Sequence, residues 1–110
     1  NFVPLDAGGP LTVQAITQGK VTTGLVFSSS GSIQSNNLVL LTDDKNLQTA
    51  ENVTPALYTP AASDTVKKAL NSVSAALTTA ELQQLNQQVE VDRKDPKVVA
   101  SEFLKSKGLI

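Results

Sequence analysis

The chain has no cysteine, histidine, methionine or tryptophan among its 110 residues. Without cysteine there is no disulfide and no thiolate nucleophile. Without cysteine and histidine together, the usual zinc ligands and all imidazole acid–base chemistry are gone. No metal and no cofactor are therefore expected. Aromatics are scarce, one tyrosine and three phenylalanines, too few to build a base-stacking surface. Nine basic against ten acidic residues leave a net charge of -1 and no basic patch, so no nucleic-acid partner is expected. No apolar run approaches the roughly 20 residues of a membrane span. The chain opens on Asn1 with no charged-then-apolar leader, as expected of a processed chain or an excised piece.

What is present describes an ordinary soluble globular chain, 40% apolar and 17% charged, long enough to bury a core of its own. The charges are uneven. Before Asp43 there are only Asp6 and Lys20. Such a stretch is either deeply buried, as a strand–helix–strand unit, or an interface that something else covers.

Gly8-Gly9-Pro10 reads as a turn into a helix, with Leu11, Ala15 and Ile16 on its apolar side and Gly19 as its stop. Residues 24–27 predict a short buried strand, 28–32 a serine-rich loop or crossover, and 37–42 a second strand, apolar throughout. Residues 52–59 predict a third, irregular because of Pro55. Three helices follow. Asp64 is placed to cap the first, Thr78 with Glu81 to box the second, and Asp95-Pro96 to start the third, which Gly108 closes. This order does not alternate as a self-contained doubly wound sheet should.

Few residues offer chemistry. The Gly8-Gly9 turn leaves amides free at a helix N-terminus, a place for a carboxylate, or it is an ordinary helix start. Phe27, at a strand end beside a polar loop, is either a core residue or one wall of a cation–π cage. Ser28, Ser29 and Ser30 can offer hydroxyls and amides to a ligand, or solvate a hinge. None has a histidine or a correctly spaced lysine to activate it, so catalysis is not expected. Asp43-Asp44 is read as a solvated turn.

Several stretches carry a resemblance when taken together and in order. They are Asp6-Ala-Gly-Gly-Pro-Leu-Thr12, the interval from Gly19 to Phe27, and Leu77-Thr-Thr-Ala-Glu-Leu with Leu85-Asn86. Asp95-Pro96 with Phe103-Leu104 and Gly108-Leu109 completes the set. In this the chain resembles the C-terminal portion of the solute-binding proteins of glycine betaine/choline-type osmoprotectant ABC importers, whose chains are well over twice as long. The resemblance implies an α/β architecture, the type II periplasmic-binding-protein-like fold, here as an incomplete C-terminal fragment. Residues 1–32 would end the second lobe and form the crossover strand. Residues 33–110 would return to the first lobe and finish in its three terminal helices.

The resemblance further implies an extracytoplasmic binding protein, not an enzyme. Its partners would be a zwitterion or quaternary ammonium ligand held in the interlobe cleft, an ABC permease in the membrane, and the upstream half of the same protein or a domain-exchanged copy. A lipid anchor would lie outside these residues. Phe27 would be a cage wall, at a position where relatives often have tyrosine. Ser28, Ser29 and Gly9 would line the ligand, and Phe2 would be a second aromatic candidate. Ser30 stands where relatives often have aspartate. The rival readings are a homologous binding protein for another small molecule and a self-associating interaction domain.

Overall fold

Proline at the first helical position loses nothing, because its missing N–H would have no partner there. Pro10 accordingly opens α1, Pro10–Thr17, with Gly9 as N-cap. The structure is a computed structural model that describes residues 2–110. Gly19, at φ 68°, ends α1 in the left-handed region. The Gly19 N–H donates to the Ile16 carbonyl and the Lys20 N–H to the Ala15 carbonyl, both at 2.9 Å. That pair of bonds satisfies carbonyls the helix would otherwise leave open. The start and stop expected from the sequence both hold.

The same ending recurs at two other helices. A short helix, α2, spans Ser32–Ser35, between the expected serine-rich loop of residues 28–32 and the expected strand of residues 37–42. Asn37, at φ 52°, closes it, with Leu38 N–H bonded to the Ile33 carbonyl at 2.9 Å. After α3 and α4, described next, α5 spans Pro96–Ser106. Gly108, at φ 66°, closes α5, with Leu109 N–H on the Leu104 carbonyl at 2.9 Å.

Helix α3 spans Asp64–Ala76, and its cap is Ser63, whose hydroxyl accepts from Val66 N–H. Asp64 was expected in that role. It is instead the first helical residue, where its charge still faces the positive end of the helix dipole. Helix α4 spans Thr79–Asn86, and Thr78 Oγ1 accepts from Glu81 N–H at 3.2 Å. The Glu81 carboxylate does not complete the box; it pairs with Lys107 Nζ at 2.6 Å and so ties α4 to the end of α5. Lys107 also lies 5.6 Å from the centre of the Phe103 ring. Helix α4 runs straight into a π-helical turn, Gln87–Val91. Asp95 caps α5 as expected, accepting from Lys97 N–H at 2.8 Å and Val98 N–H at 3.2 Å.

The three predicted strands do not form: among the described residues there is no strand. A strand exists only where a neighbour completes its ladder, and residues 24–27, 37–42 and 52–59 find no such neighbour. Their apolar side chains are not buried either, with Val39 83% exposed and Leu41 69%. The uncharged first third is thus mostly uncovered, not deeply buried. The α/β architecture is not realised within these residues.

Burial is confined to two places. Thr12 and Ala15 of α1 are buried where Gly24 crosses the helix; a methyl on Gly24 would meet Thr12 Cγ2 at 2.7 Å and Ile16 Cδ1 at 3.0 Å. Ile33, Val99 and Phe103 are the other buried apolar residues, and α2 and α5 both pack on the π turn. Helix α3 buries nothing. The chain measures 52 × 31 × 22 Å with a radius of gyration of 17.0 Å. A compact domain of this length has about 13 Å. Its surface is 8522 Å², against about 5,800 Å² for a folded monomer of this mass.

Candidate functional site

The carboxylate of Asp6 folds back over the start of α1. It accepts from Leu11 N–H at 3.0 Å and from Thr12 N–H at 2.7 Å, and the Thr12 hydroxyl bonds it at 2.9 Å. The same hydroxyl also bonds the Asp6 carbonyl. Partial burial would raise the Asp6 carboxyl, but the bonds from Leu11 and Thr12 outweigh it and hold its pKa below the ordinary 3.8. The helix amides expected to await a carboxylate are therefore already taken by one. Gly9 is part of this arrangement, since a side chain there would collide with the Asp6 carboxylate.

Gly8, at φ 73°, carries the Phe27 ring: a methyl on Gly8 would lie 2.8 Å from Phe27 Cδ2 and Cε2. The ring rests on bare backbone and remains 57% exposed. It borders two clefts. One, of about 830 Å³, lies between the start of α1 and the π turn, and Gly9, Phe27 and Ser29 meet there with Asn86, Glu90 and Arg93. The other, of about 780 Å³, runs between residues 22–28 and 38–51; Ser28 lines it together with apolar side chains such as Leu25 and Val39. Of the residues singled out from sequence, Gly9, Phe27 and Ser29 thus come together. Ser28 borders the neighbouring cleft. Phe2 lines neither and is 92% exposed.

The loop after Phe27 is held from a distance. Ser30 N–H closes a turn on the Phe27 carbonyl at 2.9 Å. Asn86 Nδ2 donates to the Ser29 carbonyl at 2.7 Å, and Gln83 Nε2 to the Ser28 carbonyl. Gly31 lies against the backbone of Gln87 so closely that no side chain fits. Sequence reasoning missed Gln83, Gly31, Glu90 and Arg93. Asn86 entered only as part of a motif, with no chemical reason attached. No local pattern connects residue 86 to residue 29.

Asp43 forms a second carboxylate-closed loop, accepting from Leu47 N–H at 2.9 Å and Gln48 N–H at 2.7 Å. The bonds from Gln48 and Leu47 hold its pKa below the ordinary value. Among the described residues no group of three acidic side chains gathers to hold a metal, and no helix is long and apolar enough to cross a membrane.

No solved structure matches the chain. Among curated proteins it is similar to the carnitine transport binding protein OpuCC of Listeria monocytogenes serotype 1/2a (strain 10403S), 30% identical over 108 residues. A second OpuCC, from Listeria monocytogenes, matches equally. Each alignment covers 92% of this chain but 33% of the relative, so the chain spans about a third of the length of the curated relatives it matches. Residues 1–106 match the family described as the substrate binding domain of ABC-type glycine betaine transport systems, and the chain belongs to that family.

Proposed function

We propose that this chain is the C-terminal third of an extracytoplasmic solute-binding subunit that delivers quaternary ammonium osmoprotectants to an ABC permease. Residues 1–32 end the second lobe and cross over; residues 33–110 return to the first. The sheet of the α/β fold is completed by strands from the rest of the parent protein, or by a domain-exchanged copy. The observation that carries the ligand class is the Phe27 ring. It is half exposed, propped on Gly8 and open to a cleft shared with Ser29. A trimethylammonium over such a face gains about 0.5–2 kcal/mol. Other cage walls come from outside these residues. The binding itself involves no covalent step: the ligand is trapped as the lobes close, and the loaded protein meets the permease.

The test is calorimetric titration of the complete parent with glycine betaine, choline, carnitine and proline. Saturable binding of a quaternary ammonium compound is expected, weakened about tenfold by Phe27→Ala. A folded parent that ignores all four ligands would overturn the reading. The departures at Phe27 and Ser30 from the family's usual residues favour one second reading, a related binding protein for another small molecule.

A further inference from the structure

In the turn from Phe27 to Ser30 the N–H groups of Phe27, Ser28 and Ser29 have no hydrogen-bond partner among the described residues, and that of Ser29 is the one set from α4. In a trans peptide the carbonyl and the following N–H point in opposite directions. Gln83 holds the Ser28 carbonyl towards α4, so the N–H of the same peptide, on Ser29, faces away from Gln83. The next carbonyl, of Ser29, is fixed by Asn86 at 2.7 Å, and the Ser30 N–H is occupied by the Phe27 carbonyl. Both peptide planes flanking Ser29 are thereby set from α4. The Ser29 N–H itself has no hydrogen-bond partner among the described residues, and Ser29 borders the same cleft as the Phe27 ring.

We propose that Gln83 and Asn86 are positioning residues that set the Ser29 N–H as an anchor for the carboxylate of a zwitterionic ligand. The inference rests on the ligand class proposed above. An ammonium over the Phe27 ring leaves the other end of a short zwitterion within a few bonds of Ser29. A hydrogen bond from a fixed amide to a carboxylate is charge-assisted, and stronger than a neutral one. The amide contributes because its plane is fixed before the ligand arrives.

The experiment compares Gln83→Met and Asn86→Leu, each close in shape and unable to donate, in the complete parent protein. Carnitine and glycine betaine carry the carboxylate; choline carries only the ammonium. Each variant is expected to weaken carnitine and glycine betaine about tenfold, and choline less than about twofold. Gln83 is half-buried on α4 and methionine is as good a helix former as glutamine, so its variant keeps the helix even if Asn86→Leu does not fold. Equal losses for all three ligands would mean that α4 merely supports the ring, and would overturn the inference. Unchanged affinities would overturn it as well. If the unsubstituted protein binds none of the three, the proposed function falls, and this inference with it.

Discussion

Gly31 has an unremarkable helical backbone, φ -63° and ψ -19°, so alanine would suit it in isolation. What excludes alanine is the backbone of Gln87 pressed against its Cα. Gly31→Ala in the parent protein is expected to cost about 1–3 kcal/mol, because main chain cannot yield as a side chain can. Urea unfolding measures it, and an unchanged midpoint would show that the π turn gives way. Asp6 yields a prediction in pH. Its folded-state pKa is depressed, so its contribution is whole above about pH 4 and is lost as pH falls through the lower folded value. Asp6→Asn should flatten the acid side of the stability–pH curve in urea titrations between about pH 5 and pH 2.5. At this scale the sequence showed which residues stood near the turn. It did not show that Gly9 makes room for Asp6, because the carboxylate has to fold back before the collision exists.

The helix ends were largely legible, since a cap and its amides lie within a few residues of each other. Thr78, Asp95, Gly19 and Gly108 all act where the pattern placed them. Asp64 was displaced by a serine one residue earlier that serves equally well, and the Glu81 carboxylate left the expected box for Lys107. Asp95 accepts two amide protons. Asp95→Ala is expected to lower stability by about 1–2 kcal/mol, with Asp95→Asn recovering most of it; denaturant unfolding of the three proteins decides. The strands were not legible in the same sense. Residues 38–41 have strand composition, but a ladder needs a neighbour that composition does not supply. The short helix α2 was missed because four residues are too few to show a helical period and Ser32 and Ser35 favour caps and turns; Ile33 is held there by packing on the π turn.

For the molecule as a whole, the dimensions carry the argument. A radius of 17.0 Å with six buried residues among those described is not the interior of a self-sufficient domain. The 110 residues expressed alone are expected to be partly unfolded or self-associated. Sedimentation combined with scanning calorimetry checks this: a monomer with one sharp heat-absorption peak would refute it. The candidate site was half legible for the same reason. Phe27 and Ser29 stand out locally, whereas the groups that fix them come from α4. The bond between Asn86 and Ser29 joins residues 57 apart, and this bears on the order of events during synthesis. The loop carrying Phe27 is made early but acquires its shape only after the whole of α4 has followed it. Closing so long a segment costs chain entropy before any contact rewards it. The turn carrying Phe27 is therefore among the last parts of this chain to set, and a chain stopped after α3 would hold Phe27 and Ser29 in no fixed arrangement.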